Sequence, residues 1–472
     1  MAEVDNNNDN ATNTELKRQL LYEARKEAIK RFAERGDILS WGKYLFPDKF
    51  SLPFCAELHN YMISTFEDKL TRTLAPRGHA KTTIEGFLLP MFYGLNHPEI
   101  FQHFLNVQNT SSKAINLNVS IKTEIECNEM LIDIYGDMRA LDEKWTEKTF
   151  VLKNGVIFSC VGAGESLRGI QYKNKRPDCI IADDLYDDDD INNAQRVEKK
   201  NRWFWSTLYP ARAKSKKHAV HIQGTAISKV DLMHSGGNDT KIFKIIYPDG
   251  RILWNELWSK EEIEQEKVNI GSIIFSREYL NEVRDDESSI IKESWIRYYK
   301  HSELLQRGLK LRPICALDPA CGEKQLNDFS GYTILHTDEN YNVYVERVAE
   351  MKNSFNANMN AIDSWNTRYN PNVFAIEAIG AFKQLTQEVK RTKNIRLKEV
   401  TSVKDKISRL EAQSFRFENG KVFFNSEMNK KELDNVIEQF INNYPVHDDV
   451  RDSVVLAMEM IEKSTGVRVR RL

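Results

Sequence analysis

The sequence predicts two consecutive α/β domains, of which the first has a mostly parallel sheet. The chain has 472 residues, more than a single hydrophobic core usually organises. Between residues 74 and 228, apolar strand-like runs alternate with helical segments, a pattern typical of a parallel sheet covered by helices. After a charged stretch at residues 281–294, the alternation of strands and helices begins again. These observations predict one α/β domain on each side of that stretch.

The composition excludes several classes of protein. Hydrophobic residues make up 41% of the chain and charged residues 29%, as in globular proteins. No apolar run approaches the roughly 20 residues that span a bilayer, and the polar N-terminus differs from a signal peptide, so we expect a cytoplasmic protein. The six cysteines lack disulfide or zinc-ligand spacing. The net charge of -2 gives no sign of nucleic-acid binding, which would depend on local basic patches.

Changes in composition predict the boundaries of the segments. The N-terminal arm is polar and Asn-rich, and we expect it to be disordered because it has too little apolar surface to offset the entropy of ordering. A capping box formed by Thr12 and Glu15 then predicts an amphipathic helix that ends at Gly36. The predicted segments are the arm at 1–13, a first domain at 14–280 with a helical part at 14–70, a linker at 281–305 and a second domain at 306–472.

Residues 75–83 (APRGHAKTT) have the character of a phosphate-binding loop. Such a loop needs backbone N–H groups around the phosphates, a lysine that reaches the β and γ phosphates, and a hydroxyl that binds Mg²⁺. Lys81 supplies the ammonium and Thr82 the hydroxyl, while Arg77 adds a guanidinium that suits charge stabilisation. Alanine stands at positions 75 and 80 where the strict pattern has glycine, so a basic turn is the alternative. The predicted nucleotide-binding residues are Arg77, Gly78, His79, Ala80, Lys81, Thr82 and Thr83.

A partner acid for this loop follows another apolar strand. Asp183 and Asp184 come directly after residues 179–182 (CIIA). Nucleotide hydrolysis needs one acid that holds Mg²⁺ through water and a second group that orients the attacking water. We assign the first role to Asp183 and the second to Asp184. Because Asp184 is one methylene shorter than the usual Glu, its role as the base stays open.

Three further segments suit a nucleotide site, and each has an ordinary structural alternative. The loop at 162–169 contains Arg168, which is either an arginine finger or a surface residue. The strand at 220–225 ends in Gly224 and Thr225, at the sheet edge where ligands gather or in a routine turn. The candidates for an adenine pocket, which could equally be core residues, are Phe50, Leu52, Phe54 and His59.

Acidic residues recur in the second domain at positions that suit a pair of metal ions. Asp318 and Glu377 each follow an apolar strand, and Asp448 and Asp449 begin the last helix. Nucleases with two metal ions hold them with carboxylates. The order strand Asp, later strand Glu, helix-start Asp predicts a ribonuclease-H-like nuclease domain with Mg²⁺ or Mn²⁺ at these acids. Taken singly, each acid is as well explained as a turn former or a helix N-terminal charge.

Other residues of this domain are secondary candidates. Asp328 follows the first strand and is either an accessory metal ligand or a turn residue. Basic side chains would hold DNA phosphates only if they cluster near the acids, because most such charges lie on solvated faces. They are Lys324, Lys383, Lys404, Lys406, Arg409, Arg468, Arg470 and Arg471.

Together these motifs resemble those of the large terminase subunit of tailed bacteriophages, from about Phe50 to Ala457. The matching segments are APRGHAKTT (75–83), SLRGIQYKNKRPDCIIADD (166–184), IQGTAIS (222–228), LDPACGEKQLNDFSGY (317–332), FAIEAIGAF (374–382) and YPVHDDVRDSVVLA (444–457). The resemblance implies a P-loop (RecA/ASCE-like) ATPase domain followed by a ribonuclease-H-like nuclease domain. It also implies a protein that packages and cuts viral DNA.

The resemblance implies roles for the candidate residues. Lys81 and Thr82 would bind ATP and Mg²⁺, and Asp183 and Asp184 would serve hydrolysis, with Arg77 beside the phosphates. Gly224 and Thr225 would couple hydrolysis to DNA movement. The implied nuclease residues, with Mg²⁺ or Mn²⁺, are Asp318, Glu377, Asp448 and Asp449.

The resemblance also implies partners. They are double-stranded viral DNA, a small terminase subunit and the portal protein of a procapsid. The chain would assemble there as a homo-oligomeric ring, expected to be pentameric, from a form that could be monomeric in solution. It would act in the host cytoplasm and be absent from the mature virion. Two alternatives stay open: a cellular helicase or repair ATPase with a fused nuclease, and a nucleotide-binding assembly scaffold, suggested by Ala75, Ala80 and Asp184.

Overall fold

The structure, a computed structural model, divides the chain into two units. The first comprises Met1–Ile263 and Ser276–Val283, and the second Glu264–Phe275 and Arg284–Leu472. Within the described part of the chain, no helix is long and apolar enough to cross a membrane. The described residues are 5–167, 170–187, 190, 193–214, 217–228, 230–234, 239–283, 289–319, 329–352, 355–378, 382–401, 405–443, 445 and 448–462.

The first unit is built on a mostly parallel sheet. Its strands are β1 (Thr71–Leu74), β2 (His103–Gln108), β3 (Thr149–Val151), β4 (Ile157–Gly162), β5 (Cys179–Asp183), β6 (Ala219–Gly224) and β7 (Thr240–Ile242). Its helices are α1 (Asp5–Arg35), α2 (Ile38–Leu45), α3 (Ala56–Ser64), α4 (Leu89–Asn96), α5 (Ser111–Cys127), α6 (Glu129–Tyr135), α7 (Ala194–Trp203) and α8 (Tyr209–Ala211), with π-helical turns at Thr82–Leu88 and Phe204–Leu208. The strands lie in the order β3-β4-β2-β5-β6-β1-β7. Neighbouring strands are parallel except β3 with β4.

The position of β6 determines which residues meet at the carboxyl edge of this sheet. β6 lies between β1, which precedes the phosphate loop, and β5, which ends in Asp183. Because parallel strands bring their carboxyl ends to one edge, the loop, the acids and the end of β6 come together there. The predicted α/β class with a mostly parallel sheet is confirmed.

Apolar side chains cover both faces of the first sheet. All residues of β2, β4, β5 and β6 are buried, as expected of parallel strands between two layers of helices. On one face, Phe87 from the π-helical turn after the loop belongs to the same core as Phe104 and Ile181. On the other face, Phe204 and Leu208 belong to a separate core. The two layers hold the strand ends in a fixed position.

The N-terminal arm differs from the prediction. Helix α1 begins at Asp5, so residues 5–13 continue the helix that was expected to start later. Once a segment has formed a helix, each added residue gains a backbone hydrogen bond, so the helix extends towards the N-terminus. Gly36, with φ +68°, ends the helix as predicted.

The second unit contains a mixed sheet. Its strands are β8 (Arg297–Tyr299), β9 (Arg312–Asp318), β10 (Ser330–Thr337), β11 (Val343–Met351), β12 (Val373–Glu377), β13 (Leu397–Val400) and β14 (Val422–Asn425). The remaining helices are α9 (Lys260–Ile270), α10 (Ser272–Leu280), α11 (His301–Gln306), α12 (Phe355–Tyr369), α13 (Phe382–Thr392), α14 (Lys406–Glu418), α15 (Lys430–Ile441) and α16 (Asp449–Glu462), with a 3₁₀ turn at Glu293–Trp295. The strand order is β13-β12-β9-β10-β11-β14-β8, and β10 is antiparallel to both of its neighbours. Val450 and Val454 of α16 share a core with Ile314 of β9.

The predicted linker at 281–305 is wrong for most of its length. β8 extends the second sheet, with Tyr298 opposite Phe424 of β14. Ile290 and Ile291 are fully buried in the core of the second unit. This structure could not be predicted from the sequence, because β8 has only 3 residues and both isoleucines lie within the charged stretch. The predicted boundary near residue 280 also missed that Glu264–Phe275 groups with the second unit.

Candidate active sites

The phosphate loop closes around the ammonium of Lys81. Its Nζ donates to the carbonyl oxygens of Ala75 at 2.7 Å and Pro76 at 3.1 Å. The Ala75 N–H donates to the Gly224 carbonyl at 3.1 Å, which joins the start of the loop to the end of β6. Lys81 is buried, so its charge faces the interior of the loop and not bulk solvent. A phosphate group in this concavity would replace the carbonyl acceptors of Lys81.

Two residues of the loop adopt the left-handed backbone region. Gly78 has φ +75° and Ala80 has φ +58°. Glycine adopts such values freely, whereas for alanine they cost of the order of 1 kcal/mol. Ala80 therefore forms the turn that glycine forms in the strict pattern, and the loop retains its shape with some backbone strain.

Asp183 is placed to hold a metal ion beside the loop. Its Oδ2 accepts hydrogen bonds from Thr82 Oγ1 at 2.5 Å and from Gln108 Nε2 at 2.9 Å. Burial, followed by the charge of Asp184, raises the pKa of Asp183 to about 7, against the opposing effects of Thr82, Lys81 and Gln108. Its Oδ1 is buried without a hydrogen-bond partner in the described part of the chain. A hydroxyl and an unpaired carboxylate oxygen side by side are donors that suit Mg²⁺ and its bound water.

Asp184 lies at the exposed edge of the site. Its backbone has φ +43°, and its N–H donates to the Gln223 carbonyl at 3.0 Å. A Cβ added to Gly224 would lie 3.0 Å from Asp184 Oδ1, so glycine makes room for this carboxylate. Thr225 follows Gly224 and is half-buried. The assignment of Asp184 as the base stays a prediction.

Arg77 at the tip of the loop is held by Glu278. The Arg77 N–H donates to the Glu278 carbonyl at 2.9 Å, and Nη1 of Arg77 lies 3.4 Å from Glu278 Oε2. The Arg77 side chain is 70% exposed. The guanidinium is therefore free to rotate towards a nucleotide while its backbone stays fixed. Thr83, the last predicted loop residue, is half-buried at the start of the following helix.

The side chain of His79 points into the core, contrary to a direct role in binding nucleotide. It is fully buried, Nδ1 lies 3.0 Å from the Arg77 carbonyl, and its ring lies 5.8 Å from that of Trp254. Burial lowers its pKa to about 4, so the imidazole is neutral. Only the backbone of His79 can face a phosphate. His59 and Phe50, proposed for an adenine pocket, are likewise buried, whereas Leu52 is exposed.

Glu85 is a functional candidate that the sequence analysis missed. It lies in the π-helical turn after the loop, and its side chain is 1% exposed. Within the described part of the chain, neither of its carboxyl oxygens has a hydrogen-bond partner. Burial, together with the charge of Asp183, raises the pKa of Glu85 to about 8. The signal was present, because Glu85 is the only charged residue between positions 82 and 96.

Glu85→Gln should remove a pH dependence of stability. The pKa of Glu85 rises from 4.5 to about 8 on folding, so its contribution to stability is complete below pH 4.5 and lost as the pH rises through 8. The melting temperature of the variant should exceed that of wild type at pH 8.5 by about 2–4 °C, with a smaller gap at pH 5.5. Calorimetry at both pH values measures this, with the exposed Glu23→Gln as control. A gap that does not widen with pH would contradict the expectation.

In the second unit, the two predicted strand acids lie side by side. Asp318 ends β9 and Glu377 ends the adjacent parallel strand β12. Their side chains are hydrogen-bonded to each other, and both are at most 7% exposed. Burial, and then the charges of Asp452 and Glu377, raise the pKa of Asp318 well above its usual range. Two buried carboxyl groups side by side are donors that suit a cation.

The start of α16 adds Asp452 to the predicted acids Asp448 and Asp449. Asp452 is 3% exposed and exerts the largest charge effect on Asp318. Burial raises the pKa of Asp449 to about 6. Asp452 follows Asp448 by one helical turn, a spacing that could have revealed it as a member of the cluster.

Two basic side chains enter this acidic cluster. Lys406 Nζ lies 2.8 Å from Asp448 Oδ1 and 2.6 Å from Asp452 Oδ2. Burial alone would lower the pKa of Lys406, but Asp452 and Asp448 outweigh it and raise that pKa. Arg409 Nη1 lies 3.3 Å from Glu377 Oε1. Both side chains form ion pairs with the acids. In this arrangement neither of them can bind DNA phosphates, the role considered for them from the sequence.

The donor set suits divalent cations, although no coordination shell is preformed. Among the described residues, no group of three or more His, Cys, Asp or Glu side chains is arranged to hold a metal ion. Carboxylate oxygens from Asp318, Glu377 and Asp452 are nevertheless the ligands that Mg²⁺ and Mn²⁺ prefer. Lys406 compensates the negative charge of Asp448 and Asp452. A metal ion would require the Lys406 ammonium to move.

Gly331 allows α16 to approach this cluster. It pairs with Asp318 across β9 and β10, and a Cβ on Gly331 would overlap the Asp449 carbonyl. Gly331→Ala should therefore displace the start of α16, lower the free energy of unfolding by about 1–3 kcal/mol and reduce DNA cleavage. Urea denaturation and cleavage assays measure the two effects. Wild-type values in both would show that the helix start does not depend on this glycine.

Comparisons with known proteins bear on both units. The family model of the terminase RNaseH-like domain matches residues 315–461. The second unit contains a terminase RNaseH-like domain. The match confirms the predicted ribonuclease-H-like fold. The matched residues include Asp318, Glu377 and Asp452. No curated protein sequence matches the chain.

Solved structures extend the likeness beyond the terminase RNaseH-like domain. The large terminase of a thermophilic bacteriophage, solved in complex with ADP, is 9% identical, with a TM-score of 0.50, and the match covers 88% of this chain and 99% of that one. A second structure of that phage terminase is 9% identical with a TM-score of 0.50, covering 84% and 94%. At such identity the likeness concerns the fold. The chain has the fold of a large terminase subunit, which confirms the resemblance seen in its motifs.

Some predicted residues lie outside the described part of the chain. In the terminase RNaseH-like domain and the C-terminal tail they are Lys324, Asp328, Lys404, Arg468, Arg470 and Arg471. In the first unit the same holds for Arg168, the candidate arginine finger. Lys383 is described, and it lies in α13 as an exposed residue.

Proposed function

We propose that this protein uses ATP hydrolysis to move double-stranded viral DNA into a procapsid and cuts concatemeric DNA with a metal-dependent nuclease. The observation that carries the proposal is the presence of two separate acid sites in one chain. One is the Thr82–Asp183 contact beside the phosphate loop, and the other is the Asp318–Glu377 pair. The terminase RNaseH-like domain and the fold shared with a large terminase solved with ADP support it.

In the proposed ATPase site, the loop would bind the phosphates, and the acids at the end of β5 would serve the metal ion and the attacking water. Lys81 would exchange its two loop carbonyls for the β and γ phosphates, and the loop N–H groups would surround them. Thr82 and Asp183 would hold Mg²⁺, which neutralises the developing charge on the phosphates. Asp184 would orient the attacking water from the exposed edge of β5. Arg77 would turn from Glu278 towards the γ phosphate.

The end of β6 would transmit the nucleotide state. The Gly224 carbonyl accepts from the loop at Ala75, and the preceding Gln223 carbonyl accepts from Asp184. Two adjacent carbonyls of one strand thus hold both sides of the site. A movement of the loop or of Asp184 would displace Gly224 and Thr225, which we propose as the residues that couple hydrolysis to DNA movement.

In the proposed nuclease site, Asp318 and Glu377 would hold Mg²⁺ or Mn²⁺ together with the acids at the start of α16, which are Asp448, Asp449 and Asp452. The bound metal supplies an activated water and stabilises the charge on the scissile phosphate. A cation bound there would favour the charged form of Asp318. Lys406 would leave Asp448 and Asp452, and its ammonium would then be available to the DNA phosphates.

The partners of such a motor follow from its task. We propose double-stranded viral DNA as the substrate, with a small terminase subunit that delivers it and a portal protein that receives it. The working form would be a homo-oligomeric ring, expected to be a pentamer, assembled from chains that are monomeric in solution. It would act in the host cytoplasm, reach the procapsid portal transiently and be absent from the mature virion.

Triplex displacement tests the proposal directly. The purified chain with Mg²⁺ and ATP should displace a third strand from duplex DNA and should not do so without ATP. Measurable ATP turnover would exclude the nucleotide-binding scaffold. ATP turnover without displacement would contradict the motor, and unwinding of a forked duplex would instead favour the helicase.

A further inference from the structure

A buried arginine joins the acids at the start of α16 to the end of α15. Arg451 is 1% exposed, although its guanidinium carries a full charge. Its Nη2 lies 3.3 Å from Asp448 Oδ2, and its Nε lies 3.4 Å from Asp452 Oδ1. Each of these carboxylates has its other oxygen on Lys406. Two cations and two carboxylates therefore alternate in a closed ring of ion pairs.

The two cations of this ring differ in their freedom to move. The Lys406 side chain is 46% exposed, so solvent can receive its ammonium when it leaves. Arg451 has no such exit, because removing a buried charge from its partners leaves both sides unpaired in a medium of low polarity. Moreover, Nη1 of Arg451 donates to the backbone carbonyls of Gln439, Asn442 and Asn443 at 3.3–3.5 Å. These bonds fix the plane of the guanidinium.

The segment that carries those carbonyls is fixed from another direction. Ser289 Oγ donates to the Ile441 carbonyl at 2.7 Å, and the Ile290 N–H donates to Asn443 Oδ1 at 2.8 Å. The backbone to which Arg451 is bound is thus hydrogen-bonded to residues 289–290 of the same unit. The hydrogen bonds to this backbone segment therefore fix the position of Arg451, and Arg451 in turn fixes the carboxylates of Asp448 and Asp452.

We propose that Arg451 is a positioning residue for the nuclease metal site. It holds one oxygen of Asp448 and one of Asp452 permanently, so that the other oxygen of each carboxylate is presented to the cation that replaces Lys406. The inference rests on the proposed nuclease function. It concerns the orientation of the carboxylates, since Arg451 itself does not face the metal or the DNA.

Mn²⁺ binding to the full-length chain tests this role without requiring catalysis. Titration calorimetry or the electron paramagnetic resonance signal of free Mn²⁺ gives the affinity in the absence of nucleotide. The part of the binding that Asp318→Asn removes defines the nuclease site. Arg451→Met should weaken that part about tenfold to a hundredfold, because partners that orient metal ligands contribute this much to affinity. Arg451→Lys keeps the charge but loses the planar fork, and should fall between wild type and Arg451→Met.

Arg416 offers a matched control. It is a buried arginine of the same unit, 6% exposed, whose Nε donates to Gln413 Oε1 at 3.0 Å. Arg416→Met should lower the melting temperature as Arg451→Met does, yet leave Mn²⁺ affinity at the wild-type value. ATP hydrolysis by the first unit reports that each variant chain is intact.

The possible results separate the inference from the function on which it rests. If Asp318→Asn removes no Mn²⁺ binding, the nuclease site itself is wrongly assigned. If Asp318→Asn removes it while a folded Arg451→Met or Arg451→Lys binds Mn²⁺ as wild type does, the positioning role is overturned. Equal losses of affinity in Arg451→Met and Arg416→Met would also overturn it, because they would indicate general loosening of the unit.

Discussion

Lys81→Ala should abolish DNA-stimulated ATP hydrolysis and leave DNA cleavage at the wild-type rate. The buried ammonium of Lys81 is the charge that faces the interior of the phosphate loop, and methyl cannot replace it. Loss of a preorganised donor to a developing charge costs about 10²–10³ in rate, and the loss of binding to the phosphates adds to this. Phosphate release in the presence of double-stranded DNA measures hydrolysis, and plasmid linearisation measures cleavage.

The control for this variant is Lys30→Ala, an exposed lysine of α1 whose loss should change neither activity. A Lys81→Ala chain that melts at the wild-type temperature and still hydrolyses ATP would remove the phosphate-loop assignment. In that case the basic turn considered from the sequence would be the correct interpretation of residues 75–83.

Asp318→Asn should have the opposite result, with cleavage lost and ATP hydrolysis retained. Asp318 ends β9 beside Glu377 at the end of β12, and the charges of Asp452 and Glu377 both raise its pKa. Asparagine preserves the shape but removes the charge that a divalent cation needs. We expect the cleavage rate to fall by at least about 10³, the size of effect seen when a group that stabilises transition-state charge is lost. Cleavage should be measured across a titration of Mn²⁺, so that weakened metal binding is distinguished from loss of the reaction.

A surface acid of the same unit provides the comparison. Asp363 lies on α12 and forms an ion pair with Lys393. Asp363→Asn removes this ion pair and should leave both activities unchanged. Taken with Lys81→Ala, the Asp318 variant decides whether the chain has two independent sites. If both activities disappear in both folded single variants, the two-site interpretation is untenable.

The parts of the sites that lie on strand ends could be predicted from the sequence. Thr82 and Asp183 stand in local patterns, and the parallel sheet brings those patterns together without further information. Asp318 and Glu377 were found for the same reason, because each ends a strand of one sheet. Strand-end positions are robust because the order of the strands fixes which of them share an edge.

Residues that depend on packing could not be predicted in this way. Asp452 was not among the predicted ligands because adjacent acids of a helix face different directions, and the packing of α16 decides which of them are buried against the sheet. The pair Asn419-Gly420 is typical of a hairpin turn, but in the structure α14 runs to Glu418, and Gly420, with φ +64°, follows the end of that helix. An Asn-Gly pair suits both structures, and the long-range contacts of α14 make the difference.

The division of the chain has a consequence for how this protein can be taken apart. The polypeptide passes between the units at residues 263/264, 275/276 and 283/284, so the second unit consists of two separate stretches of sequence. Residues of the shorter stretch are attached to α14, where the Ser272 N–H donates to Glu418 Oε2 at 2.8 Å and Asn419 Nδ2 donates to the Val268 carbonyl at 2.8 Å. No single cut yields two complete folding units. A C-terminal fragment that starts at residue 284 would lack residues 264–275 and would expose the surface that they cover. Adding a peptide of residues 264–275 should cover that surface again.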